Sequence, residues 1–406
     1  MAHLTTARDP LPLPLPAGIT SRRLDLSPQG HLNYHILEAC SSPSPSSQHN
    51  QLIILLHSFP EVAYSWRKTM LPLARAGPYH IVAPDQRGFG RTTGWDSRPY
   101  GDVDLHTCSR TSLVRDVLVL ARALGYATVK CVVGHGDVGG MVAADCALIR
   151  PDIFQSVLLI GYPFAGVPDL PRSSSSDSSN EKKKAMHDRL AALGRKHYQQ
   201  YYSSARANAD MTGPITARGL RGFFRGYFYL KSGAWPGNDS ARALETCSAD
   251  EFAEKLPYYC IMPVQASMPE AVQMLMKSEE SDSSKQWLSD EELEVYVSEY
   301  ARTAFQGGLN WYRVVTASGC DSGSMELVHE LDIFSGLKIK VPCAFLGGKK
   351  DWGLYQEPGA MQKMRDGTAC EELVFLRMID GAGHWIQQEK PDEVTQGILE
   401  LLKSVK

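Results

Sequence analysis

No apolar run in the 406 residues approaches the length of a membrane span, so a bundle of membrane helices is excluded. Charge of one sign is missing as well: 42 Lys and Arg stand against 45 Asp and Glu, a formal net charge of −3. With no basic stripe and no acidic tail, nothing in the chain invites nucleic acid. Cysteine is sparse, at nine residues, and shows no metal-ligand spacing. Cys131 and Cys343 fall inside strand-like runs, so the thiols read as reduced core residues, and no metal or organic cofactor is implied. The stretch Met1 to Pro16 carries the proline-interrupted run LPLPLP where a signal peptide would have a continuous apolar segment, and a cytoplasmic location is expected.

What the chain does have is a strand, a sharp turn and a helix around one acid. Lys130-Cys131-Val132-Val133 is β-branched and apolar; Gly134-His135-Gly136-Asp137-Val138-Gly139-Gly140 follows, and small apolar residues continue from Met141. Glycines on both sides of a turn let strand and helix approach closely and leave one side chain exposed at the strand's carboxyl end. If that side chain is Asp137, the attacking atom is a carboxylate oxygen, which needs no base before its first attack. The N–H of Val138 would then open the helix as an oxyanion donor. A plain glycine-rich turn whose aspartate caps the helix explains the same residues equally well.

The rest of the chain supplies the setting. Residues 19 to 38 read as two strands around Ser27-Pro28-Gln29-Gly30. Gln51 to Leu56 is apolar enough for a strand buried on both faces and ends in His57-Ser58-Phe59-Pro60, where the Phe59 N–H can point into a crevice. His80 to Pro84 is another strand, and Asp85 and Arg87 behind it read as loop pins. A helix is expected over Thr111 to Leu124 and a strand over Ser156 to Ile160. Such alternation predicts an α/β fold with a mostly parallel central sheet. It breaks off at Gly161: Ser41 to Asn50 earlier, Arg172 to Lys184 and Ser278 to Lys285 read as polar loops, and the stretch up to Leu331 as helices rich in Tyr and Trp, without strands. Alternation resumes at Val341. The expected division is a core over 1–161, a helical cap over 162–331 and the rest of the core over 332–406. Asp351 and His384 both lie just past strand ends, on the sheet edge where sites form.

These motifs in this order, an acid at the turn, a second acid after a later strand and a histidine near the end, resemble the α/β-hydrolase superfamily. Within it they resemble the epoxide hydrolases and haloalkane or haloacetate dehalogenases that use an aspartate nucleophile. The resemblance implies the α/β-hydrolase fold with an inserted cap domain, Asp137 as nucleophile, His384 as the base that activates water, Asp351 as the acid that orients it, and Phe59 and Val138 as oxyanion donors. Phe305 to Arg313 looks like the cap segment that carries a ring-opening tyrosine, here Tyr312. Pro257-Tyr258-Tyr259-Cys260 lies where the other is expected, with Tyr259 favoured, and Tyr258 and Trp311 become candidates for binding substrate.

Two residues depart from the family pattern. Gly136 is one residue more than the pattern holds between His135 and the acid, so either Asp137 keeps the nucleophile position or Gly136 has taken it. Ser58 stands where glycine is usual. The expected activity is hydrolysis of an epoxide on an apolar small molecule to a vicinal diol through an Asp137 ester. A hydrolytic dehalogenase and a non-hydrolytic isomerase or cyclase remain as alternatives, the latter because of Gly136. The partners expected are the substrate and water.

Overall fold

The strand Gln51–Leu56 shows how the centre is built. Leu52, Ile54 and Leu56 join one buried cluster, Ile53 and Leu55 another, because successive side chains of a strand point to opposite faces. A run that is apolar at every position belongs in a sheet covered on both sides. The computed structural model describes residues 10–41, 50–167, 170, 176–213, 219–276, 281–316, 327 and 329–405.

Its strands are β1 (Thr20–Asp25), β2 (Asn33–Cys40), β3 (Gln51–Leu56), β4 (Tyr79–Pro84), β5 (Cys131–His135), β6 (Val157–Ile160), β7 (Arg195–His197), β8 (Ile261–Pro263), β9 (Cys343–Gly348) and β10 (Leu373–Ile379). Eight of them form one sheet in the order β1-β2-β4-β3-β5-β6-β9-β10. From β4 to β10 every pairing is parallel, while β1 and β2 run antiparallel at one edge. The helices Arg67–Ala76 and Pro391–Leu402 cover one face through Met70, Leu73, Ile398 and Leu401. Arg110–Ala123 and Met141–Ile149 cover the other through Leu113, Val117, Val142 and Cys146. The strand order jumps outward on both sides of β3 and β5, so the loops after these strands open onto one crevice.

After β6 the chain leaves the sheet and re-enters it at β9. The intervening cap is mostly helical, and Phe224, Tyr300 and Phe305 stack as its own core, with the Tyr300 and Phe305 ring centroids 4.5 Å apart. Two sequence expectations fail here. A helix, Ser176–Ala192, occupies much of the segment expected as a loop over Arg172 to Lys184; its run of Glu and Lys consists of strong helix formers. The cap also contains strands, the short antiparallel pair β7 and β8. Of the other two polar segments, residues 42–49 and 277–280 lie outside the described residues, and Ser281–Gln286 forms a short 3-10 helix. Among the described residues no helix is long and apolar enough to cross a membrane.

Candidate active site

Asp351 lies just past β9, after Lys349 and Lys350, and its carboxylate accepts the Gly353 N–H at 2.8 Å, which caps the next turn and fixes the carboxyl plane. His384 lies in the loop after β10, its Nδ1 2.9 Å from Asp351 Oδ2. Burial pushes the His384 imidazole below its usual pKa, the Lys231 ammonium adds to this, and Asp351 opposes both. The ring is therefore neutral at neutral pH and ready to take a proton. Burial alone would raise Asp351, but His384 and Lys231 hold it below the ordinary carboxylate value.

Beneath this pair, His135 at the end of β5 is gripped through both ring nitrogens. Nδ1 lies 2.8 Å from Glu61 Oε2, and Nε2 donates to the His384 carbonyl at 2.8 Å. Glu61 also accepts from Gln387 and Gln388 Nε2, each at 2.8 Å, and from the Ser58 N–H at 3.3 Å. One buried carboxylate thus ties together the loops after β3, β5 and β10, and fixes where Ser58 and His384 meet. Asp85 and Arg87 do pin loops: Asp85 accepts the N–H groups of Ala63 and Arg91, and Arg87 makes a two-pronged pair with Asp116.

The turn after β5 answers which residue holds the elbow. Gly136 has φ +62°, the left-handed conformation that a strand-to-helix elbow demands. A Cβ placed on it would lie 3.5 Å from His384 Nε2. The elbow conformation therefore belongs to Gly136 and not, as expected, to Asp137. The extra residue is absorbed by a π-helical turn over Gly136–Gly140 before the α-helix begins, the usual structural consequence of a one-residue insertion. The same virtual Cβ would be 2.2 Å from Ser58 Oγ, so the serine hydroxyl fills the space a side chain at 136 would need. The two departures from the family pattern meet at one point. Gly136→Ala is expected to lower stability by about 1 to 3 kcal/mol through left-handed strain and this overlap. Adding Ser58→Gly should recover part of the loss, which urea denaturation of the single and double variants would measure.

Asp137 sits one residue further on. Its carboxylate accepts a very short hydrogen bond from the Tyr198 hydroxyl of the cap. No hydrogen bond joins it directly to His384 among the described residues. Tyr312 lies beside this pair: the Tyr198 and Tyr312 ring centroids are 6.2 Å apart. In both phenols burial first, and the Asp137 carboxylate next, push the pKa well above its usual value, so both keep their protons.

Tyr198, missed in the sequence, thus takes the place expected for Tyr259. The Tyr259 hydroxyl donates instead to Asn238 Oδ1 at 2.6 Å, and Asn238 Nδ2 in turn holds the carbonyls of Leu230 and Ser232, each at 2.8 Å. Tyr259 therefore braces the loop around Lys231. Tyr258 is half-buried under the Arg195 guanidinium, 4.2 Å from its ring centroid, and Trp311 spends its indole N–H on the Arg87 carbonyl at 3.0 Å, so neither polar group is directed at Asp137 or His384 by a hydrogen bond among the described residues. The Phe59 N–H makes no hydrogen bond among the described residues, and its ring packs 5.5 Å from that of Tyr312. The N–H immediately after the elbow residue is that of Asp137, so Val138 stands one position further along the π turn than expected. A signal for Tyr198 was present: Tyr198-Gln199-Gln200-Tyr201-Tyr202 puts Tyr198 and Tyr202 on one helical face.

The cap is fastened to the His384 loop. The His384 N–H donates to the Lys231 carbonyl at 2.7 Å. Glu389 accepts the N–H of Gly233 at 2.7 Å and those of Gly383 and Trp385 at 3.2 and 3.1 Å. Burial pushes the Glu389 carboxyl up to about 7 against the pull of these N–H groups. The folded state thus binds this proton more tightly than the unfolded state. The resulting stabilisation is full below the ordinary glutamate range and is lost as pH rises to about 7. Its ceiling is about 3 kcal/mol, lowered by screening because the residue keeps some accessible surface. Glu389→Gln is expected to shrink the difference between the denaturation midpoints at pH 5 and pH 8.

A family model described as alpha/beta hydrolase fold matches residues 51–391. Epoxide hydrolase A of Mycobacterium tuberculosis is 31% identical over 354 residues, covering 86% of this chain and 90% of the relative. The chain belongs to the α/β-hydrolase fold family, in its epoxide hydrolase branch. Epoxide hydrolase 1 of Siraitia grosvenorii is 28% identical, with 92% of this chain and 95% of that relative covered. Among solved structures, an epoxide hydrolase from an endophytic Streptomyces superimposes with a TM-score of 0.71 at 26% identity, covering 96% of each chain. A member of this branch is an enzyme that takes a small-molecule substrate and water. The Gly136 insertion and Ser58 are the local features to be explained within that frame.

Proposed function

We propose that this enzyme hydrolyses epoxides to vicinal diols through an ester on Asp137. The observation that carries the reading is the Asp137 carboxylate receiving the Tyr198 hydroxyl, with Tyr312 alongside. A nucleophile and two protonated phenols at one point suit ring opening, in which attack on carbon and protonation of the departing oxygen must coincide. Asp137 attacks a ring carbon, the C–O bond breaks, and the alkoxide takes a proton from a phenol. His384, oriented by Asp351, then takes a proton from water; the hydroxide adds to the ester carbonyl, the diol departs with the proton returned by the histidine, and the proton left on the Asp137 carboxyl goes back to the phenolate, which regenerates both groups. The Phe59 N–H, which makes no hydrogen bond among the described residues, holds the oxyanion, a contact whose loss typically costs about 3 to 4 kcal/mol. Phenols at the leaving oxygen argue against a dehalogenase, whose halide product takes no proton. The eight described cysteines are free thiols, which suits the proposed cytoplasmic location.

The test is a single turnover in water enriched in oxygen-18. The ester route leaves the label in Asp137 and none in the first diol, because the oxygen bonded to substrate carbon comes from the carboxylate. A labelled first diol would overturn it. A second reading, a non-hydrolytic isomerase or cyclase, is favoured by Gly136 holding the elbow; it predicts an isomeric product with no oxygen gained.

A further inference from the structure

Lys231 follows the cap helix Gly219–Leu230 and is placed with unusual definition. Its carbonyl is bonded to the His384 N–H, and the carbonyls on either side of it, those of Leu230 and Ser232, are bonded to Asn238. Its Nζ lies 5.3 Å from the Tyr227 ring centroid and 5.2 Å from that of Trp385, between two aromatic faces. The residue is largely enclosed by protein yet keeps some accessible surface.

What it lacks is a counter-ion. Among the described residues no carboxylate comes within 4.0 Å of the ammonium. The two nearest to the chemistry are committed elsewhere, Asp351 to His384 and Gly353, and Asp137 to Tyr198. Both still act on Lys231 electrostatically and, after the Tyr227 phenol, help hold its proton against the effect of burial. An ammonium withdrawn from water without a partner is costly, and two cation–π contacts offset only part of that cost. Such a group, tied to the His384 loop and within electrostatic reach of Asp137, fits a substrate that brings the missing charge.

We infer that Lys231 anchors an anionic substituent, so that the site takes epoxides carrying a carboxylate close to the ring. The inference rests on the epoxide-opening reading. The charge sits beside the base that completes the reaction, so a bound carboxylate would fix the substrate relative to His384 as well as add affinity. An exclusively hydrocarbon substrate would leave the ammonium uncompensated.

The probes are 3-phenylglycidate and its neutral amide, with cinnamate and cinnamamide as unreactive counterparts. The wild-type kcat/KM should favour the acid, and the acid-to-amide ratio should fall at least tenfold in Lys231→Met, mainly through KM. Lys231→Arg should restore most of it. Calorimetry should show cinnamate binding more tightly than cinnamamide, with the preference lost in Lys231→Met. If that variant fails to show a thermal unfolding transition, Lys231→Gln takes its place. An acid-to-amide ratio unchanged by the substitution, or a wild-type enzyme that binds cinnamate no better than cinnamamide, overturns the inference. A wild-type enzyme that binds cinnamate through Lys231 yet opens neither epoxide supports the anion site and instead overturns the epoxide-opening reading.

Discussion

Asp137→Ala is expected to lower epoxide turnover by about 10⁴-fold or more, the scale on which loss of a covalent nucleophile registers. His384→Gln should fail differently. Ring opening needs only the carboxylate and the phenols, so the ester should form and then persist. Intact-protein mass spectrometry of this variant after mixing with substrate should show one added substrate mass, placed on Asp137 by peptide mapping. Full activity in Asp137→Ala would mean that the displaced acid is not the nucleophile. The elbow would then be chemically empty, since Gly136 holds its conformation and Ser58 fills its side-chain space. The π turn makes this experiment more than routine, because it moves the acid one residue along the helix and toward the cap.

The second large effect concerns the phenols. Tyr198→Phe is expected to reduce kcat by about 10² to 10³-fold, within the range for a positioned proton donor. Tyr312→Phe should cost a similar factor, and the double variant less than the product of the two, because the two phenols hold the same oxygen as a unit and losing one already disables the pair. Tyr259→Phe should instead cost about 1 kcal/mol of stability through its lost bond to Asn238, with a small effect on kcat. Steady-state kinetics on all three, beside their denaturation midpoints, separates the roles. Activity that survives in Tyr198→Phe but collapses in Tyr259→Phe would reverse the assignment.

Much of the architecture was readable residue by residue. The unbroken apolar run of β3 required a sheet covered on both faces, and the helix expected over Thr111 to Leu124 is observed over Arg110–Ala123. Asp351 and His384, 33 residues apart in the chain, were marked by their positions after strands, and they do form a hydrogen-bonded pair. These features are local or follow from the rule that parallel strands present their carboxyl ends together.

The tyrosines were harder. Tyr198 and Tyr259 both belong to a segment dense in aromatic residues, and although Tyr198 shares a helical face with Tyr202, that local pattern does not say which hydroxyl reaches Asp137. The backbone pairing of β7 with β8, which sets their directions, spans some 60 residues of chain.

By itself the sequence determined the sheet, the cap inserted between its strands, and the presence of two acids and a histidine at one edge, because strand periodicity and loop position are local. Only the tertiary structure decided that Gly136 rather than Asp137 bends the elbow, that Ser58 fits against it, that Tyr198 meets the carboxylate, and that Lys231 stands beside the His384 loop with no carboxylate in contact among the described residues. Each of these depends on how far one element slides past another, a distance of a few ångströms set by packing of the whole core and cap.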